Sequence, residues 1–128
     1  MLVLASEARP RTLCTGRPGK PALGGASRFV RIRRPGYVLE EVRTLAVDDI
    51  VPADRKVTII QLDVEGWEEH ALKGALGTIR RNLPLLILEN APKDAVWFDK
   101  TILKLGYQKM QRLPNNSVLR SLSDSQFS

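Results

Sequence analysis

Acidic and amide side chains follow two apolar runs of the sequence, at the points where each run ends. Asp63 and Glu65 come after the first run, and Glu89 and Asn90 come after the second. Because the carboxyl ends of neighbouring parallel strands meet at one edge of a sheet, we expect these side chains to converge there. Carboxylates at such an edge can accept a proton from a hydroxyl nucleophile, and carboxylate and amide oxygens can bind a hard cation.

Each of these residues also has a structural interpretation, and both interpretations stay open. An acidic residue in front of a helix often only caps it, and Asp63 or Glu65 can do so. Asp63 also interrupts an otherwise apolar strand, where a carboxylate needs a partner or water. Glu89 and Asn90 can be no more than the polar exit from their strand. On the functional interpretation, the catalytic candidates are Asp63, Glu65 and Glu89.

Two further candidates lie on the segment after the first run. His70 is the only histidine of the chain, which excludes a zinc site built from several histidines. It falls on the polar face of a predicted helix, where a lone histidine is usually only solvated. Trp67 fits a core position as well as the wall of a substrate site. We predict that Asn90, Trp67 and His70 contact a substrate.

The elements that must position these residues are two strands and a helix between them. The run Val57–Val64 is nearly all apolar or β-branched, which is typical of a strand covered on both faces. Residues 65–82 have apolar side chains at helical spacing, acidic residues in the first turn and basic residues in the last, so we predict one continuous helix. Leu85–Leu88 is the second buried strand, and the order predicts a right-handed βαβ unit.

Weaker patterns on either side of this unit predict four more elements. They are a strand within residues 38–47, a helical turn at 48–51, a helix over 94–105, and a C-terminal hairpin of strands at 106–113 and 118–122. The alternation of strands and helices predicts the α/β class.

The first third of the chain differs from the rest in composition. The chain has 128 residues and a net charge of +6, and residues 1–45 hold nine Lys or Arg against three Asp or Glu. Gly and Pro recur through residues 5–27, which predicts a loop or a poorly ordered segment, and residues 28–33 predict a short edge strand. We therefore divide the chain into a basic Gly/Pro-rich arm, residues 1–38, and a domain, residues 39–128.

Composition also narrows the class of protein. Only Phe29 and Tyr37 interleave the basic arm, which disfavours a nucleic-acid site with stacking platforms. The single cysteine, Cys14, excludes an internal disulfide and fits a reduced compartment. No apolar run reaches the roughly 18–20 residues of a membrane span, and the apolar start is too short for a signal peptide, so we expect a cytoplasmic protein without a membrane partner.

Several segments, in order, resemble the FkbM family of methyltransferases over about residues 23–122. They are Gly24–Ser27, Thr44–Ile50, Ile60–Glu68 with its Asp-Val-Glu-Gly at a strand end, Leu72–Ala75 with its basic-Gly-Ala step, and Pro84–Asn90. The resemblance implies a Rossmann-like class I methyltransferase sheet, with the first apolar run as strand four, the second as strand five, and the hairpin as strands six and seven. It also implies methyl transfer from S-adenosylmethionine, usually to the hydroxyl oxygen of a small substrate.

The sequence departs from this family in its first part. The glycine-rich loop and the acidic residue that would hold the cofactor are not found, so no cofactor-binding residue is assigned and we expect a truncated or partial domain. Strands missing from the sheet would leave an edge exposed, which predicts a homo- or hetero-oligomer that pairs there. Two alternative functions stay open: a non-catalytic remnant that pairs with another chain, and a basic nucleic-acid-binding protein that uses residues 9–34.

A metal site is a further hypothesis from the resemblance. Catechol-type O-methyltransferases share this fold and hold magnesium with an acid after strand four and an acid-amide pair after strand five. Asp63, Glu89 and Asn90 occupy comparable places in this sequence. The comparison predicts them as ligands of a magnesium ion.

Overall fold

The computed structural model of the chain describes residues 2–17, 19, 28–30, 35–64, 66–113 and 116–122. Its strands are β1 (Leu2–Leu4), β2 (Pro10–Gly16), β3 (Arg28–Phe29), β4 (Val38–Leu45), β5 (Ile59–Leu62), β6 (Leu85–Leu88), β7 (Tyr107–Leu113) and β8 (Asn116–Ser121). Its helices are α1 (Val47–Ile50), α2 (Glu68–Lys73), α3 (Leu76–Asn82) and α4 (Ala95–Thr101), with a 3₁₀ helix at Leu103–Leu105. This content confirms the α/β class.

One four-stranded sheet has the order β5-β6-β8-β7 and contains the predicted strand–helix–strand unit. β5 and β6 run parallel, with Leu62 opposite Leu88. β8 pairs antiparallel with both β6 and β7, so the predicted C-terminal hairpin is confirmed. Residues 114 and 115 of its turn lie outside the described residues. The seven-stranded Rossmann-like arrangement stays a prediction.

The hydrophobic core lies against one face of this sheet. Leu62, Leu86 and Leu88 from the strands pack with Leu72 and Ile79 from the helices, and all five are almost fully buried. Burial of each such side chain contributes about 1.5–3 kcal/mol to folding. The prediction that β5 is covered on both faces is wrong, because its burial alternates and Ile59 remains 56% exposed. Its nearly all-apolar or β-branched composition therefore reflects β propensity as well as burial.

A second four-stranded sheet has the order β1-β4-β2-β3 and includes part of the predicted arm. The expected loop over residues 5–27 is wrong for β2, which pairs antiparallel with β4 and buries Leu13 and Cys14. Pro10 and Gly16 stand at the two ends of this strand, where they bound the ladder rather than interrupt it. Among the described strands, β3 lies at one edge of the sheet, as predicted, while residues 31–34 lie outside the described part of the chain.

The prediction of one continuous helix over residues 65–82 is also wrong. The helix is broken at Gly74 and Ala75, and α3 begins anew at Leu76. The carboxylate of Asp48, on α1, accepts hydrogen bonds from the backbone N–H groups of Gly77 and Thr78 and from the Thr78 hydroxyl, each 2.8 Å long. It satisfies donors that a helix leaves unpaired in its first turn, and so it stabilises a new helix start.

These contacts also lower the pKa of the Asp48 carboxyl group. Burial alone would raise the pKa of its carboxyl group. The hydrogen bonds from Thr78 and Gly77, helped by the positive charge of Arg81, outweigh that effect and hold the pKa below its usual value of 3.8.

No helix among the described residues is long and apolar enough to cross a bilayer.

Candidate functional site

The carboxyl ends of β5 and β6 bring two of the predicted catalytic residues side by side. The strand register sets Leu62 opposite Leu88, and the Glu89 N–H continues the pairing by donating to the Leu62 carbonyl at 3.1 Å. Asp63 and Glu89 are therefore neighbours at one edge of the sheet. Asp63 is exposed to solvent, so its carboxylate does not require a partner within the protein. Glu89 is half-buried. The third residue, Glu65, lies outside the described residues, and all three catalytic roles stay predictions.

A buried carboxylate that the sequence did not single out joins this edge to α2. Glu68 is only 1% exposed, and its Oε1 accepts from the Val64 N–H at 3.4 Å and from the Asn90 amide at 3.3 Å. It therefore ties the loop after β5 to the loop after β6. In the sequence, Glu68 resembles any acidic residue that complements the dipole at a helix start, and its remote partner Asn90 is not visible.

Beside this edge lies a cleft of about 630 Å³, here called the main cleft. Its lining comprises Phe29, Gly66, Trp67, Glu68, Glu69, His70, Asn90, Ala91, Pro92 and Lys93. The structure thus brings the three predicted substrate-contacting residues, Trp67, His70 and Asn90, into one cavity wall. Asp63 and Glu89 do not line it.

Three aromatic rings form one wall of the main cleft, here called the aromatic wall: Phe29, Trp67 and His70. The ring centroid of Trp67 lies 4.3 Å from that of Phe29, edge to face, and 4.1 Å from that of His70. The guanidinium of Arg11 lies 4.8 Å from the centroid of the Trp67 ring. Phe29 and Arg11 were missed as site residues, because both belong to the segment expected to be an arm.

His70 does not lie on a solvated face, as the helical pattern suggested, but is half-buried in the aromatic wall. Its Nδ1 is buried and has no hydrogen-bond partner among the described residues. Burial lowers the pKa of the imidazole from its usual 6.5, and the positive charges of Lys73 and Arg11 lower it further, against an opposing effect of Glu69. His70 is therefore neutral near pH 7 and able to accept a proton.

The lowered pKa of His70 makes folding sensitive to mild acid. As pH falls below about 6.5, His70 becomes protonated in the unfolded chain but stays neutral in the folded chain. The free energy of unfolding should therefore decrease until pH falls below the pKa of His70 in the folded chain. Urea unfolding at about pH 7.5 and about pH 5.5, compared between wild type and His70→Gln, measures this effect. The variant should lose this part of the pH dependence. An identical pH dependence in both proteins would contradict the assignment.

The far rim of the main cleft is held by an ion pair on α2. Lys73 Nζ lies 2.6 Å from Glu69 Oε1, and Glu69 also accepts from the Asp94 N–H in front of α4 at 3.0 Å. The hydrogen bond from Lys73, followed by that from Asp94, keeps the pKa of Glu69 below its usual value. Lys73 in turn lies 5.0 Å from the centroid of the Trp97 ring. These contacts fix α4 against α2 beside the cleft.

The family model described as the methyltransferase FkbM domain matches residues 16–110 of the chain. This match covers well over half of the 128 residues. The chain belongs to the FkbM methyltransferase family. The matched part of this FkbM domain starts at the last residue of β2 and so includes the aromatic wall. The division at residue 38 stays a prediction. Neither a curated protein nor a solved structure matches the chain significantly.

The predicted magnesium site has no support in the described part of this FkbM domain. No group of three or more His, Cys, Asp or Glu residues there is placed to hold a metal ion. The Asn90 amide group donates its hydrogens to Glu68 and, at 3.4 Å, to Glu89. The Asn90 nitrogen is therefore committed to hydrogen bonds with carboxylates, which is a different arrangement from several oxygens around a cation.

The main cleft of the FkbM domain does not by itself fit S-adenosylmethionine. That cofactor carries a ribose diol, a carboxylate and an ammonium group, each of which needs a polar or charged partner on burial. Among the described residues, two carboxylates line the cleft and both are engaged by the chain: Glu68 binds Val64 and Asn90, while Glu69 binds Lys73 and Asp94. A complete cofactor site therefore needs groups from outside the main cleft.

Proposed function

We propose that this FkbM domain methylates a hydroxyl oxygen of a small hydroxylated compound, with S-adenosylmethionine as the methyl donor. The proposal rests on one observation above all. A member of a methyltransferase family has a cleft beside the carboxyl ends of two parallel strands, and the side chains Trp67, His70 and Asn90 line it. Ligands of open α/β sheets bind at such ends. We propose that the main cleft holds the methyl acceptor.

The acceptor meets three kinds of group in this cleft. The aromatic wall offers apolar ring faces and edges, which pack well against the C–H groups of a sugar or a macrocycle. From the opposite loop, the Asn90 amide oxygen can accept a hydrogen bond from a hydroxyl group, because the hydrogens of its nitrogen are donated to Glu68 and Glu89, which fix its position. Together they orient a hydroxyl group without any covalent step, and orientation of this kind removes a large entropic part of a barrier.

His70 is the residue we propose to receive the acceptor's proton. Its ring lines the cleft and is neutral near pH 7, and proton acceptance strengthens a hydroxyl oxygen as a nucleophile. We retain the catalytic roles proposed for Asp63, Glu65 and Glu89, of which Asp63 and Glu89 lie at the sheet edge beside the cleft. S-Adenosylmethionine supplies the electrophilic methyl group.

The edge position of β5 supports a further part of the proposal. β5 is the first strand of the order β5-β6-β8-β7, so no described strand of that sheet pairs with the other side of its backbone. The antiparallel place of β8 beside β6 is the place that a class I methyltransferase sheet requires of its last strand. We propose that a further strand pairs at β5, from outside the described residues or from another chain, and that the cofactor-binding groups come with it.

Two measurements on the purified full chain test this function. Calorimetric titration with S-adenosylmethionine reports cofactor binding, and release of S-adenosylhomocysteine in the presence of hydroxylated sugars and polyketides reports transfer. We expect turnover to fall about 100-fold or more in His70→Gln and to persist in Asp54→Asn, which changes a carboxyl group on an exposed turn. Binding without turnover for every acceptor, or equal turnover in both variants, would oppose the proposal.

A further inference from the structure

A buried carboxylate and an exposed amide lie together in the lining of the main cleft. The carboxylate is that of Glu68, on α2, and the amide is that of Asn90, 22 residues later in the loop after β6. Glu68 is only 1% exposed, whereas Asn90 is exposed to solvent. A ligand in the cleft can therefore touch Asn90 far more readily than Glu68, and an effect of Glu68 on the ligand has to pass through Asn90.

The position of the Glu68 carboxylate is fixed from both sides of the cleft edge. Its Oε1 accepts hydrogen bonds from the backbone N–H of Val64, after β5, and from the Asn90 nitrogen. An ionised carboxylate has no hydrogen to donate, and a buried one is costly unless its oxygens receive hydrogen bonds. The two donors therefore hold Glu68 in place, and Glu68 in turn holds the Asn90 amide.

The orientation of the Asn90 amide follows from the groups around its nitrogen. That nitrogen carries two hydrogens, and it donates to Glu68 at 3.3 Å and to Glu89 at 3.4 Å. Rotation of the amide by half a turn would set its oxygen against carboxylate oxygens with no hydrogen between them. Among the described residues, none donates a hydrogen bond to the Asn90 oxygen. This oxygen is thus the part of the amide that remains for a ligand.

We infer that Glu68 is a positioning residue, which makes Asn90 an acceptor of hydrogen bonds in the main cleft and so selects compounds with at least two hydroxyl groups. The number of hydroxyl groups rests on the proposed function. In that reaction the reacting hydroxyl gives its single hydrogen to His70, so the Asn90 oxygen needs the hydrogen of a second hydroxyl group. The orientation of Asn90 by Glu68 does not depend on the reaction.

The same arrangement disfavours compounds that offer only an acceptor to Asn90. The oxygen of an ether or a ketone has no hydrogen, so it would oppose the amide oxygen and leave it without a donor. Discrimination between a hydroxyl group and a methyl ether is therefore the property that Glu68 should control. A role of Glu68 in stability alone would not affect this discrimination.

Two matched probes test the inference by NMR titration of the purified full chain. They are vicinal trans-cyclohexanediol and its dimethyl ether, whose rings can both pack against the aromatic wall. The side-chain amide signals of Asn90 and the indole signal of Trp67 report binding. The ratio of the two affinities is compared between proteins, so that differences in hydrophobicity between the probes cancel. We expect saturable shifts with the diol in the wild type.

Glu68→Gln should shift the affinity ratio about fivefold towards the ether, which corresponds to one hydrogen bond. The variant keeps the shape of the side chain, but its amide can offer a hydrogen as well as an oxygen, so Asn90 is free to turn its nitrogen to the ligand. Glu69→Gln is the matched control. It removes the same charge from the next residue, which binds Lys73 and Asp94, and should leave the ratio unchanged.

Asn90→Ala provides a second variant in case Glu68→Gln unfolds, which circular dichroism reports. Because Asn90 is exposed, its truncation should leave the chain folded. The variant lacks the amide oxygen, so the affinity ratio should again shift about fivefold towards the ether.

The outcomes separate this inference from the proposed function. Absence of saturable shifts, a ratio that Glu68→Gln and Glu69→Gln change equally, or a ratio that Asn90→Ala leaves as in the wild type overturns the positioning role, whether or not the protein transfers methyl groups. A ratio that depends on Glu68 and Asn90 in a protein without methyltransferase activity keeps the positioning role and counts against the proposed function.

Discussion

Replacement of Gly74 by alanine should lower the free energy of unfolding by about 3 kcal/mol. A methyl group at this position would overlap the backbone carbonyl of Ala5 and lie 3.2 Å from the Cα of Ala46. Ala5 cannot easily move away, because its N–H donates to the Leu45 carbonyl at 2.8 Å as an extension of the β1–β4 pairing. Relief of the overlap must displace either a strand or the end of α2.

Chemical denaturation with circular dichroism measures the effect of Gly74→Ala. Arg80→Ala, at an exposed position of the neighbouring helix, is the control and should change stability by no more than about 0.5 kcal/mol. An alanine at residue 74 that is neutral or stabilising would show that Ala5 does not pack there in solution. The expected loss also explains the basic-Gly-Ala step of the family resemblance in physical terms, since only glycine admits so close a neighbour.

Replacement of Asp48 by alanine should cost about 2 kcal/mol, near the upper end for loss of a helix cap. The change removes the acceptor of three hydrogen bonds from Gly77 and Thr78. Thr78 is fully buried, so its hydroxyl and N–H would be left without that partner and away from water. Urea unfolding measures the loss.

Asp49→Ala is the matched control, because it removes the same charge from the next residue of α1, which is exposed. The two variants should also differ in their response to acid. The lowered pKa of Asp48 stabilises the fold at pH values above 3.8, and this stabilisation is lost as pH falls through the still lower pKa of the folded state. Equal stability of the two variants at neutral pH would contradict the capping role of Asp48.

The elements with local signals are those that the sequence predicts well. The apolar runs of β5 and β6 and the amphipathic helical segment between them need no knowledge of distant residues. The break at Gly74 could not be predicted, because its cause is a carboxylate 30 residues before Thr78. β2 was missed for a related reason: its Pro and Gly residues suggest a loop unless the partner strand β4 is known.

The residues of the candidate site also differ in whether the local sequence predicts them. The sequence could predict Trp67, His70 and Asn90 as site residues, because each closely follows a predicted strand. The sequence could not predict Phe29 and Arg11 as site residues, because they lie beside Trp67 only through the pairing of β2 with β3. The sequence shows that Glu68 is acidic but does not show that it is buried, because its burial depends on the loop after β6.

The long sequence separation within the β1-β4-β2-β3 sheet has a consequence for the order of folding. Leu2 pairs with Arg43, whereas β5, α2, α3 and β6 follow one another closely along the chain. Closing long loops loses chain entropy before contacts compensate, so we expect the β5–β6 unit to form first, an order that pulse-labelled hydrogen exchange would reveal. Phe29 and Arg11 would then reach Trp67 late. A refolding chain would therefore have its two parallel strands in place before the cleft beside them is complete.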